Sequence, residues 1–106
     1  MLRAIVVGRD THSIGDAIAD AGHDLTRVDT GTGETLDGAG IERADVYVLT
    51  EHDQATSIPV AKKRNPDLRV VVYADGSLPD FARRQTDLAL DPDLFDPADV
   101  AAELDS

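Results

Sequence analysis

The stretch Ala4-Ile5-Val6-Val7 is the first of three short apolar runs that decide the fold, and it ends at Gly8. The other two runs are Val46-Tyr47-Val48-Leu49 and Val70-Val71-Val72-Tyr73. Each run is rich in β-branched residues and is followed by polar or turn-forming residues, as is typical of strands buried on both faces of a parallel sheet. The sequence also predicts two weaker strands, over residues 25–28 and 88–90.

Helical patterns lie between these strands. Apolar residues from Ile14 to Ala21 are spaced as one face of a helix, with Ser13 as the predicted N-cap and Gly22 as the stop signal. Further helices are predicted over residues 57–64, 79–84 and 97–104, the first capped by Thr56 or Ser57 and the last by Asp96. The glycine-rich segment 30–40 is predicted to be a loop with one helical turn.

The alternation of strands and helices predicts βαβ units throughout the chain. We therefore expect an α/β fold, a three-layer sandwich with a mainly parallel sheet, in a single domain that spans residues 1–106. The chain has no cysteine, which excludes disulfides and thiolate chemistry. It has no leader pattern and no apolar run of about 20 residues, so we expect a cytoplasmic protein without membrane insertion.

The charge of the chain is strongly acidic. Asp and Glu number 21 against 10 Lys and Arg, a net charge of −11, which disfavours binding to nucleic acid or to anionic membranes. The acids are 17 Asp against 4 Glu, and the bases are 8 Arg against 2 Lys. This composition resembles that of proteins from extreme halophiles, in which hydrated carboxylates keep the surface soluble in high salt. The acidity is therefore no sign of a basic partner.

The first strand–helix connection is the predicted binding site. Ligands of open parallel sheets bind beyond the carboxyl ends of the strands. Gly15 fits the third glycine of the G-x-G-x-x-G pattern of dinucleotide sites, but the first two positions are then Asp10 and His12, and Gly8 lies two residues too early. The helix start at Ser13 is expected to offer free N–H groups to an anion, with positive charge from Arg9 and His12. At the end of the second strand stands Asp29, where an acid would bind a ribose hydroxyl.

The middle of the chain resembles a family of potassium-transport regulators. Glu34-Thr35-Leu36, then Ala39-Gly40-Ile41-Glu42-Arg43-Ala44-Asp45 and the strand to Thr50, are similar to the TrkA-N domain, also called the RCK domain. The resemblance extends over most of the chain. It implies a Rossmann-like sheet that binds NAD or an adenine nucleotide, in a family that often dimerises. The family's third strand is missing between Asp29 and Glu34, which leaves five strands in the expected order 2-1-3-4-5 and a homodimer as the expected partner. The implied cofactor-binding residues are Gly8, Arg9, His12, Ser13, Gly15, Asp29 and Thr50.

A second resemblance is to short haloarchaeal proteins sometimes labelled CTP synthetase. The chain has neither a cysteine for a glutaminase nor a P-loop G-x-x-x-x-G-K-[ST], so that activity is not expected. A receiver domain shares the strand order 2-1-3-4-5, but it needs a phosphorylatable Asp after the third strand, where this chain has Thr50-Glu51.

Three hypotheses for function remain open. The first is a stand-alone nucleotide-binding regulator without catalytic turnover. The second is a protein-interaction or dimerisation module with a degenerate Rossmann fold and no ligand. The third is a small enzyme that uses His12 or His52, the two histidines predicted to lie at the ligand edge. No metal site is predicted.

Overall fold

Five parallel strands form one sheet with helices on both faces in the computed structural model, which describes residues 2–76 and 78–104. The order is β2-β1-β3-β4-β5, and all four neighbouring pairs are parallel. This confirms the predicted fold class and the predicted strand order. The strands are β1 (Arg3–Val7), β2 (Asp24–Val28), β3 (Val46–Leu49), β4 (Arg69–Tyr73) and β5 (Leu88–Leu90).

The helices form the two outer layers. α1 and α5 share an apolar core with one face of the sheet, and α2, α3 and α4 share another with the opposite face. Two 3₁₀ turns, Ile41–Arg43 and His52–Gln54, precede β3 and α3. The helices are α1 (Ile14–Asp20), α2 (Gly33–Gly38), α3 (Ser57–Arg64), α4 (Asp80–Arg83) and α5 (Pro97–Glu103).

The continuous apolar strands fill both cores because successive side chains of a strand point to opposite faces. In β1, Val6 packs into the core beneath α1 and α5, and Val7 packs into the core beneath α2 and α3. Ile18 of α1 and Ile58 of α3 close the two cores and are fully buried. A strand with polar residues at alternate positions would leave one of these helix layers without an apolar surface to cover.

The segment 30–40 is more helical than predicted. Six residues form α2, and the side chain of Thr32 accepts a hydrogen bond from the backbone N–H of Thr35 at 3.3 Å. Leu36 is then fully buried against the sheet. The N-cap and the burial of one leucine therefore outweigh the glycine content, which had favoured a loop.

His23 is a structural residue that connects two neighbouring strands. Its side chain is buried, and Nδ1 accepts a hydrogen bond from the backbone N–H of Leu2 at 3.1 Å. His23 follows Gly22, which stops α1 in the left-handed region (φ +92°) as predicted. The histidine thus ties the start of β2 to the residue that precedes β1.

Candidate functional site

The connection from β1 to α1 is closed by a side chain of its own. The carboxylate of Asp10 accepts hydrogen bonds from the backbone N–H groups of Ile14 (2.7 Å) and Gly15 (2.8 Å). Ser13 has the left-handed conformation (φ 59°), and its side chain makes no capping hydrogen bond. The expectation that the start of α1 offers free N–H groups to an anion is therefore wrong for these two amides, because Asp10 already supplies the anion.

A cation from the neighbouring strand completes this arrangement. Arg27 of β2 extends its guanidinium to the helix start, with Nη1 at 2.9 Å from Asp10 and Nη2 at 2.7 Å from Asp16. A Cβ placed on Gly15 would lie 2.5 Å from Nη1 of Arg27. Glycine at position 15 thus leaves room for the guanidinium that lies over it.

Three of the other predicted residues meet where β1 and β3 end. Gly8 has a φ of +97°, and a Cβ there would lie 2.9 Å from Oγ1 of Thr50. The Thr50 hydroxyl donates a hydrogen bond to the carbonyl oxygen of Val7 at 2.8 Å, so it joins the two strands. Arg9 is largely exposed, with Nε at 3.6 Å from Oε1 of Glu51.

The two remaining predicted residues lie at different parts of the sheet edge. His12 reaches the end of β4, where Nε2 is 3.3 Å from Oδ2 of Asp75 and the ring meets Tyr73 edge-on, with centroids 6.0 Å apart. Asp29 is exposed just after β2. Because β1 and β3 lie between β2 and β4, Asp29 after β2 is far from Asp75 after β4, which His12 contacts.

The ends of β4 and β5 carry an acidic group that the sequence analysis did not single out. Carboxylate oxygens of Asp75, Asp91 and Asp93 lie within 4.8 Å of one another, and all three residues are exposed. Burial, and then the carboxylates around it, Asp96 first, raise the pKa of the nearby Tyr73. Oxygen ligands at this spacing could hold a hard divalent cation, but exposed acidic groups are also common without one.

His52 lines a concave pocket on the face of β4 opposite to Tyr73. The pocket has a volume of about 390 Å³ and lies over β4 and β5, beside the one-turn helix α4. Both ring nitrogens of His52 are shielded from solvent, and neither has a hydrogen-bond partner in the described part of the chain. His12 and His52 therefore have different surroundings: His12 lies in an exposed polar contact with Asp75, and His52 lies in the wall of a pocket.

Comparison with solved structures shows the same fold in signalling proteins. An orphan response regulator of H. pylori superposes with a TM-score of 0.75 at 12% identity, over 98% of this chain and 93% of that one. A response regulator from Thermotoga maritima gives 0.71 at 13% identity, over 99% and 96%. The TrkA-N domain of the inner membrane protein ybaL from Escherichia coli gives 0.59 at 14% identity, over 89% and 90%.

These identities show the fold alone, which is a Rossmann-like parallel sheet in each case. The resemblance to TrkA-N is thus supported in fold, and the strand order shared with receiver domains is confirmed. Among residues 2–76 and 78–104, no helix has the length and hydrophobicity to cross a membrane. No curated protein matches the chain. The sequence model of the family of unknown function DUF7126 matches residues 4–104, and the chain belongs to that family.

Proposed function

We propose that this protein is a regulatory domain that acts through protein contacts, as a homodimer, without a nucleotide in the β1–α1 connection. The fold that it shares with response regulators supports the regulatory class. Thr50 follows β3 where a receiver domain has its phosphorylatable Asp, so the regulation does not use that phosphorylation.

The observation that carries the proposal is the turn after β5. The carbonyl oxygen of Asp91 accepts hydrogen bonds from the backbone N–H groups of Leu94 (3.0 Å) and Phe95 (3.1 Å). The buried hydroxyl of Tyr73 donates a hydrogen bond to the carbonyl oxygen of Phe95. This turn is held from two sides, and yet it presents Leu94 at 76% exposure and Phe95 at 44%.

Leu94 and Phe95 expose two adjacent apolar side chains on a turn whose backbone is held by hydrogen bonds. Burial of apolar surface is the main favourable term in protein association, and the backbone of this turn needs little ordering when a partner covers it. A symmetric dimer would place the same turn of two chains in one interface. The closed β1–α1 connection supports the same proposal, because Asp10 and Arg27 fill the position that a phosphate would need.

Light scattering after size exclusion in molar KCl tests this proposal. We expect a dimer for the native chain and a monomer for the double variant Leu94→Ser and Phe95→Ser. Phe81→Ser is the matched control, since Phe81 is also an exposed phenylalanine (49%) but lies on α4, and it should leave the dimer intact. A native chain that elutes as a monomer, or a double variant that remains a dimer, would contradict the proposal.

Nucleotide binding is the second candidate function. The exposed Asp29 after β2, together with the TrkA-N likeness in fold, favours it. In that case Gly8, Arg9, His12, Ser13, Gly15, Asp29 and Thr50 would line the site for NAD or an adenine nucleotide, and Asp10 would have to leave the amides of α1.

Thermal unfolding in molar KCl with NAD⁺, NADH, ATP and AMP separates the two candidates. A ligand at about 100 times its Kd adds roughly 2.7 kcal/mol, which raises the Tm of a small domain by many degrees. We expect no shift for the native chain. A shift that Asp29→Ala removes would favour the nucleotide regulator, and Asp24→Ala, at the other end of β2, is the control.

A further inference from the structure

The crossover between β4 and β5 leaves part of the sheet uncovered. The helix α4 has only four residues, against eight in α3, so it covers only part of the two strands that it connects. The result is the pocket of about 390 Å³, which is within the range of about 300–1,000 Å³ that holds small ligands. Its walls include apolar side chains from both strands and from the segment before α4: Val72, Ala74, Leu78 and Ala89.

Two cationic or hydrogen-bonding side chains stand in the same wall, Arg83 and His52. In the described part of the chain, the guanidinium of Arg83 forms an ion pair with Asp80, at the long distance of 4.0 Å. Because both side chains are exposed, this ion pair contributes little to stability. Gly76, with a φ of +101°, brings the backbone close to His52, since a Cβ there would lie 3.3 Å from Cδ2 of the ring. The imidazole is thus confined while its nitrogens stay without partners in the described chain.

The charges in the wall limit the class of ligand. A carboxylate matches the planar fork of the Arg83 guanidinium and can form two parallel hydrogen bonds with it. Asp91 also lines the pocket and would repel any anion there, a dianionic phosphate more strongly than a monocarboxylate. The apolar lining favours a ligand whose remaining atoms are hydrocarbon, because their transfer from water is favourable.

We propose that the pocket between α4 and the β4–β5 face binds a small monocarboxylate with an apolar ring or chain. The carboxylate pairs with Arg83, and the hydrocarbon part lies against Val72, Ala74 and Ala89. The pocket adjoins the turn with Leu94 and Phe95 through Asp91, and its lining includes no residue of the β1–α1 connection. It would give the domain a small-molecule input that does not involve a nucleotide.

Benzoate and hexanoate are suitable probes, with benzyl alcohol as the neutral counterpart of benzoate. NMR titration in molar KCl should shift the backbone amide signals of Val72, Ala74 and Ala89 and the ring signals of His52. In Arg83→Gln the carboxylate probes should bind at least about tenfold more weakly, since a hydrogen bond to a charged group is lost. Benzyl alcohol should bind the native chain and this variant equally.

Arg84→Gln is the matched control, because Arg84 is an exposed arginine next in sequence that does not line the pocket. Its affinity for benzoate should equal that of the native chain. The proposal is overturned if neither carboxylate shifts these signals, if Arg83→Gln binds benzoate as well as the native chain does, or if Arg84→Gln weakens binding equally. A second variant, Ala89→Phe, should fill the pocket and abolish the shifts while the remaining amide spectrum shows an unchanged fold.

Discussion

Asp10 and Arg27 form an ion pair of 2.9 Å that lies over the start of α1. The carboxylate also accepts two backbone hydrogen bonds from the helix, so one side chain serves as helix cap and as counter-ion. The pair connects three elements, since Asp10 follows β1, the amides belong to α1 and Arg27 belongs to β2. Asp10 thus accepts hydrogen bonds at the helix start, which is where dinucleotide-binding folds hold a phosphate.

Asp10 and Asp16 both pair with Arg27, but the capping role of Asp10 predicts that its substitution costs more stability. Asp10→Asn should lower the free energy of unfolding by about 1–2 kcal/mol, because it removes the charge from a helix cap that is mostly buried. Asp16→Asn should cost about 0.5 kcal/mol or less, since Asp16 is 71% exposed and pairs with Arg27 at the surface. Urea unfolding measures both values. Equal losses in the two variants would show that pairing with Arg27, and not the cap, is what stabilises the helix start.

Gly15 and Arg27 should be energetically coupled. Gly15→Ala gains helix propensity of up to about 1 kcal/mol, but the new Cβ displaces the guanidinium of Arg27. We expect these effects to offset each other in the native chain, so that the variant is close to neutral. In the Arg27→Ala background the same substitution should stabilise by about 1 kcal/mol. A double-mutant cycle by urea unfolding measures the coupling. If there is no coupling, the contact with Arg27 does not determine the effect of a side chain at position 15.

The strands of the sheet could be predicted because the pattern that specifies each of them lies within its own segment of the sequence. The continuous apolar runs at β1, β3 and β4 indicate strands buried on both faces, and helices between them require parallel pairing. The order of the strands came from the family resemblance, since periodicity alone does not determine it. The segment 30–40 was mispredicted because four glycines hide a helix that depends on the Thr32 cap and the burial of Leu36.

The site was harder to predict because its contacts are distant in sequence. A Ser before an apolar helix pattern is a good N-cap signal, yet Ser13 adopts φ 59° and leaves the cap to Asp10, four residues before Ile14. The partner of His12 is Asp75, which is 63 residues away and meets it only once β1 and β4 share a sheet. The pocket beside α4 forms because this helix is too short to cover β4 and β5 fully. The pattern of apolar residues in the sequence does not reveal the length of the helix.

Gly31 should be intolerant of any side chain. A Cβ there would overlap Cβ of Ser57 and would lie 2.8 Å from the hydroxyl of Tyr47, and both residues are buried. Gly31→Ala should therefore destabilise the protein by about 1–3 kcal/mol through overpacking. Gly38→Ala is the control, because a Cβ at Gly38 meets nothing within 4 Å and it lies in α2, so it should be neutral or slightly stabilising. A smaller loss for Gly31→Ala than for Gly38→Ala would contradict this account of the packing.

The net charge of −11 predicts that stability rises with salt. Repulsion among exposed carboxylates favours the expanded chain, and ions screen it with a Debye length that falls to about 3 Å at 1 M. The Tm should rise steeply with KCl and level off near about 1 M. Sucrose at matched osmolality is the control, because it favours compact states by exclusion and screens no charge. An equal rise in sucrose would show that the acidic surface is not the cause.

Tyr47 predicts a loss of stability at alkaline pH. Its hydroxyl donates to Oγ of Ser57 at 2.7 Å, and Ser57 donates to the carbonyl oxygen of Gln54 at 2.6 Å. Burial raises the pKa of Tyr47 from 10.0 to about 12, although the hydrogen bond with Ser57 opposes the shift. Since the folded state holds this proton more tightly than the unfolded chain does, the protonated hydroxyl stabilises the fold fully below pH 10.0, and that contribution disappears as the pH rises through about 12.

The loss over this interval should be on the order of 2–3 kcal/mol, since each unit of pKa shift corresponds to about 1.4 kcal/mol. Tyr47→Phe should be less stable than the native chain at neutral pH, because Ser57 loses its donor, and its stability should fall less between pH 10.0 and about 12. Some dependence will remain, since the pKa of Tyr73 is raised as well. Urea unfolding as a function of pH, with phenolate absorbance followed in parallel, measures both effects. Identical pH dependence in the native chain and the variant would mean that Tyr47 does not titrate as its burial requires.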